Sequence, residues 1–235
     1  MTSDMTISPK RRQEIIDALR RGTVPRNSLD TFAVGLDRFE DAIDEELRRV
    51  KGGAGVFKAV RGEYGCGKTF FARWLCDRAR KLGFATSEVQ ISESETPLYR
   101  LETVYRRLIE HLSTADTTGG ALRNIVDGWF FTLEEDVLAE GKVSGRDNAK
   151  LIESTNDLVE KRLRRVSDQA PAFSAALRGY RLAQAEGNSA IAEGLLAWLG
   201  GQPNIAASAK RFAGVKGDLD HFGALGFLQG LLCVI

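Results

Sequence analysis

The chain is poor in the residues that build metal centres and cross-links. It holds 3 cysteines and 2 histidines in 235 residues. Cys66, Cys76 and Cys233 form no C-x-x-C pair, and two histidines cannot complete a zinc site with them. This excludes a zinc module and a secreted disulfide framework. Reduced thiols in a cytoplasmic protein are the reading that remains. Net charge is also nearly absent, with 33 basic residues against 32 acidic ones. That removes any overall electrostatic argument for a nucleic-acid or membrane partner, though not for a local basic face. No hydrophobic run is long enough to span a bilayer; the longest, Leu225 to Ile235, falls well short. The start, Met1 to Arg12, is polar and basic, unlike a secretory leader. No membrane association is expected.

One motif stands out. Residues 62 to 69 read Gly-Glu-Tyr-Gly-Cys-Gly-Lys-Thr, the full G-x-x-x-x-G-K-[ST] phosphate-binding pattern, or Walker A. The apolar run Val56-Phe57-Lys58-Ala59-Val60 precedes it and reads as a buried strand. Phe70, Phe71, Trp74, Leu75, Ala79 and Leu82 follow at helical spacing, with Gly83 as the stop. Strand, glycine-rich turn and helix form the context in which the pattern is a P-loop. Gly62, Gly65 and Gly67 are expected to adopt left-handed backbone. The turn's amides would then cradle phosphate together with the start of the following helix. Lys68 is expected to reach the β- and γ-phosphates, and the Thr69 hydroxyl to ligate Mg²⁺. The whole cofactor-binding set is Gly62, Glu63, Tyr64, Gly65, Cys66, Gly67, Lys68, Thr69 and Phe70. The ligand is ATP with Mg²⁺, with Thr69 as the metal residue. A chance match in a glycine-rich chain is the bland alternative, and the flanking pattern argues against it.

The fold class expected is α/β: a P-loop NTPase (AAA+-like) core, incomplete at the C-terminus, with a large helical insertion. Three regions are expected. Residues 1–55 form a helical lead-in, with Ser8-Pro9 opening one helix and Gly35 to Val50 a second. Residues 56–113 form the nucleotide-binding core, with a second strand over Phe84 to Ile91 and a helix from Thr96-Pro97. Residues 114–235 form a helical module, with patterns over 121–140, 149–169, 171–186, 189–199, 204–213 and 219–235. Breaks fall at Gly141 to Asp147, Pro171, Gly187-Asn188, Gly200 to Pro203 and Gly214 to Gly217.

An apolar strand ending in an acid pair, which would support the metal shell and orient water, is missing after the P-loop. Ile125-Val126-Asp127 imitates it weakly, within a helical pattern. The terminal run from Leu225 to Ile235 has two readings. One is a buried helix; the other is a truncated chain whose next element would be the acidic strand.

Several segments carry a family resemblance: Arg12 to Leu19, Phe32 to Glu40, Arg61 to Trp74, Gly83 to Leu101 and Gly223 to Leu232. Together they resemble the P-loop ATP-binding protein of bacterial BREX phage-defence systems, a family similar in outline to origin-recognition-type AAA+ ATPases. The resemblance implies the phosphate cradle at Gly62 to Gly67, the phosphate lysine at Lys68 and the Mg²⁺ hydroxyl at Thr69. It places Val34-Gly35 against adenine. It implies other BREX-type defence proteins as partners and leaves DNA and a homo-oligomer open. ATPase activity is implied for full-length members, and this chain lacks a recognisable Walker B motif.

The function expected is therefore an ATP-binding subunit of an antiphage defence assembly. A nucleotide-gated scaffold without turnover is the alternative. A P-loop small-molecule kinase fits less well, because about 60 residues precede the motif. A GTPase is disfavoured by the lack of Asn-Lys-x-Asp. Lys161-Arg162-Leu163-Arg164-Arg165 is a basic run on a helix that could meet DNA phosphates. Nearby Glu153, Asp157, Glu160 and Asp168 make a solvated, balanced face the blander reading.

Overall fold

A computed structural model describes residues 8–25, 29, 33–140, 149–168 and 170–235. The expected break over Gly141 to Asp147 lies outside the described residues, as does much of the loop between Thr23 and Thr31. The chain divides into two compact units, Met1–Phe84 and Ala85–Ile235.

The first unit holds α1 (Pro9–Arg20), α2 (Asp37–Lys51) and α3 (Lys68–Lys81). Ser8 caps α1, its Oγ accepting from the Arg11 amide at 3.4 Å, with Pro9 in the first turn. Leu29, Ile43 and Trp74 form the core, backed by Leu36, Leu47, Phe70, Phe71 and Leu75. This is the meeting of two helical stripes that the spacing foretells. Arg78 of α3 clamps α2 through both carboxylate oxygens of Asp44, at 2.7 Å each, and lies over the Trp74 ring. The guanidinium beside Asp44 holds its carboxyl below the usual carboxylate range.

The second unit holds α4 (Leu101–Glu110), α5 (Leu122–Ala139), α6 (Ala149–Ser167), α7 (Pro171–Ala185), α8 (Ser189–Leu199), α9 (Ala207–Phe212) and α10 (His221–Leu232). Buried residues of α6 recur every four positions, at Leu151, Thr155, Val159 and Leu163. α7 is buried on most of its faces, through Phe173, Ala176, Leu177, Tyr180 and Ala183 among others. Phe227 of α10 gathers the rings of Tyr105, Phe173 and Trp198 around it, with centroids 5.1 to 5.8 Å away. Asn188 and Asp220 cap α8 and α10 with their side-chain oxygens. The terminal apolar run is mostly helical: α10 buries Phe227 and Leu231, while Phe222, Leu225, Leu232 and Ile235 are exposed.

The expected α/β P-loop NTPase core is not present. The described residues contain ten helices and no strand; the sole bridge is one antiparallel pairing of Thr86 with Ser113. Residues 55–62 belong to no helix or strand and make no backbone–backbone hydrogen bond among the described residues, and Phe57 is 92% exposed. A strand needs neighbours to satisfy its amides and cover its side chains. Among the described residues, Val56 to Val60 makes no backbone–backbone hydrogen bond, and the 84–91 segment pairs with another segment's backbone only where Thr86 meets Ser113. Apolar patterning reports a tendency to be buried, not the availability of a partner strand. The AAA+-like description falls with the sheet.

Candidate functional site

The site is built on the turn that enters α3. Gly65 and Gly67 take positive φ, 83° and 91°, where a side chain would be strained. Gly67 is also the residue on which α3 begins, and no side chain caps that helix. Its first-turn amides are therefore left to a ligand or solvent, at the positive end of the helix dipole. The first turn carries no acid that would compete.

Gly62 differs from expectation. It is not among the positive-φ glycines. What it requires is space: a Cβ there would collide with the Cys66 Sγ. The first and fifth residues of the loop thus approach each other closely. Lys68 folds back over this turn. Its Nζ donates to the carbonyl oxygens of Gly62 at 2.8 Å and Glu63 at 2.7 Å, and lies 3.8 Å from the Cys66 Sγ. The cation is thereby fixed against the loop rather than extended into solvent. The amide of Cys66 donates to the Glu63 carbonyl at 3.4 Å, which closes the turn further. Glu63, Tyr64, Cys66 and Thr69 are exposed; Lys68 and Phe70 are half-buried. Phe70 packs on the Leu29–Trp74 core and anchors the helix start.

The acceptor carbonyls of Gly62 and Glu63 leave no trace in residue identity, so their hold on Lys68 was not legible from the motif. Val34-Gly35 forms a turn with Val34 92% exposed. Asp127 lies on α5, in the second unit. Its carboxylate accepts from the Tyr180 hydroxyl at 2.7 Å and from the Gln184 amide at 3.2 Å. In the basic run of α6, Leu163 is buried, Arg162 pairs with Asp136 at 3.5 Å, and Glu160 pairs with Arg178 of α7. Lys161 and Arg164 are exposed; the Arg165 side chain lies outside the described residues. Among the described residues, no group of three or more His, Cys, Asp or Glu side chains is placed to hold a metal ion. No helix among them is long and apolar enough to cross a membrane.

Comparison with protein families finds one described as BREX system ATP-binding protein BrxC/D, matching residues 7–235. The chain belongs to this family. Membership of BrxC/D gives the protein a role in a phage-defence system, and ATP binding is implied by the family name. It points to other BREX components as partners. Comparison with curated proteins and with solved structures found no match.

Proposed function

We propose that residues 62 to 69 of this BrxC/D-family protein bind the triphosphate of ATP, and that the bound nucleotide governs its engagement with other BREX components. The observation that carries the reading is the posture of Lys68. Its ammonium is held by the carbonyls of Gly62 and Glu63 at the start of an uncapped helix. A cation and a row of open amides at one turn suit a polyanionic phosphate chain. Thr69, exposed beside Lys68 at the helix start, supplies the hydroxyl for Mg²⁺ when the metal accompanies the nucleotide. Adenine is the base proposed, since the family is one of ATP-binding proteins.

Calorimetric titration of Mg-ATP into wild type and Lys68→Ala tests the assignment. Loss of one charge-assisted contact costs about 1.5–3 kcal/mol of affinity. Equal affinities would overturn it. Competition of ATP and GTP for a fluorescent analogue tests the base; a preference for GTP would overturn that part.

A second reading, nucleotide-gated binding without turnover, is favoured by the fate of Asp127. This acid, the nearest imitation of a metal-supporting carboxylate, is taken up by Tyr180 and Gln184. Steady-state phosphate release separates the readings. Release near background supports a gated scaffold, and robust release that Lys68→Ala abolishes supports an ATPase. DNA enters the proposal only through the exposed Lys161 and Arg164 of α6. Its test is whether Lys161→Ala/Arg164→Ala flattens the salt dependence of duplex binding.

A further inference from the structure

The second unit contains a polar hollow of about 460 Å³, lined by residues of that unit alone. One wall is the C-terminal end of α4, through Arg107 of its last turn and the capping His111 four residues on. The other is the segment just before α4, through Gln90, Ser92, Ser94, Glu95 and Thr96.

That segment is folded for the purpose by its own serine. The Ser92 Oγ accepts from the amides of Glu95 at 3.1 Å and Thr96 at 3.2 Å, and the Ser92 amide donates to the Thr96 carbonyl at 3.1 Å. The loop so formed turns its polar side chains toward α4. Thr96 is only 4% exposed, yet among the described residues its hydroxyl has no protein partner. Its hydroxyl is not among the sealed, unpartnered atoms of the described residues, so it opens into the hollow and is available to a bound molecule. Arg107 gives Nη1 to Glu110 at 2.9 Å, and its remaining nitrogens have no acceptor among the described residues. The His111 ring, the Ser94 hydroxyl and the Glu95 carboxylate likewise have no protein partner there.

These groups define a ligand. The Arg107 fork, with His111 beside it, matches the in-plane oxygens of a phosphate. Three hydroxyls and an amide on the facing wall match hydroxyl groups, and the Glu95 carboxylate can only accept from donors when ionised. The lining offers no hydrophobic side chain to a greasy ligand. The volume falls in the range of small-molecule sites and exceeds what a bare anion fills. We propose that this hollow binds a small phosphorylated polyol, its phosphate on Arg107 and His111 and its hydroxyls on Glu95 and the Ser92–Thr96 loop.

The test is calorimetry on the full chain with ribose 5-phosphate, ribose and inorganic phosphate. Ribose 5-phosphate is expected to bind, with ribose and inorganic phosphate each at least tenfold weaker. Arg107→Gln should weaken it tenfold or more, and Ser94→Ala, at an exposed position whose hydroxyl makes no hydrogen bond among the described residues, severalfold. Lys68→Ala should change nothing, which separates this site from the phosphate-binding loop. Circular dichroism checks that Arg107→Gln is folded; if it is not, Ser94→Ala decides. The inference is overturned if wild type does not bind the sugar phosphate, if inorganic phosphate binds as well, if Lys68→Ala abolishes binding, or if the Arg107 and Ser94 variants bind normally.

Discussion

The Lys68 ammonium donates to the carbonyl of Gly62, six residues earlier, at 2.8 Å. This single bond draws the two ends of the glycine-rich turn together. It also brings Gly62 against Cys66, so the first position of the motif tolerates no Cβ while Cys66 keeps its present rotamer.

Because the obstructing sulfur ends an exposed side chain that can turn aside, Gly62→Ala should weaken ATP binding by about 1 kcal/mol, the low end of the cost of forcing a methyl into occupied space. Cys66→Ala removes the obstructing sulfur and should be nearly neutral. Combined, the two changes should recover most of the loss. A double-mutant cycle on ATP affinity measures the coupling, and strict additivity would mean that the two residues do not meet.

Two helical glycines should respond in opposite directions to alanine. Gly128, exposed on α5, has nothing within 4 Å of a new Cβ. Gly128→Ala should stabilise by about 0.8–1 kcal/mol through helix propensity alone. Gly179 on α7 would place a Cβ 2.7 Å from that of Ala213 and 3.0 Å from Leu195 Cδ1. Overpacking there should outweigh propensity and destabilise by about 1–3 kcal/mol. Urea denaturation of the two variants gives both signs.

The buried Tyr105 hydroxyl donates to the Leu199 carbonyl at 2.8 Å, tying α4 to the end of α8. Burial pushes this phenol well above the ordinary tyrosine range. Tyr105→Phe leaves the carbonyl without that donor and should cost about 1–3 kcal/mol. An unchanged denaturation midpoint would show that the carbonyl finds another partner.

Asp44 gives the first unit an acid-sensitive clamp. Its folded pKa lies below the unfolded value because Arg78 donates to it. The stability it contributes is complete above the unfolded carboxylate range, about 3.9. It is lost as pH falls through the lower, folded pKa. Because the pair is partly exposed, its worth is no more than about 1 kcal/mol. Asp44→Asn should melt earlier than wild type at pH 7, and the gap should close below pH ~4. A gap that persists in acid would assign the effect to packing instead.

What the sequence made legible follows from the range of the interactions involved. Ser8, Asn188, Asp220 and Gly83 act within a turn or two, so helix ends could be read from them. The glycine-rich motif is likewise local, and its two left-handed glycines, Gly65 and Gly67, lie where the pattern implies. The apolar run at Val56 to Val60 misled because a strand is completed by residues far away in the chain. Tyr180 meeting Asp127 and Tyr105 meeting Leu199 span 53 and 94 residues, and no periodicity announces such partners. The polar hollow escaped for the same reason. Thr96-Pro97 reads as a helix start, whereas α4 begins only at Leu101, and the facing Arg107 and His111 take on meaning only once α4 is folded against the Ser92 loop.

Trp74 sits on α3 within two turns of Lys68, and it is buried to 1% against Leu29 and Ile43. The other two tryptophans, Trp129 and Trp198, belong to the second unit. The chain thus carries a built-in optical reporter for its first unit. With Trp129 and Trp198 replaced by phenylalanine, the emission of one indole would follow the first unit by itself. The melting of the first unit, and any response of it to ATP, could then be timed apart from the second.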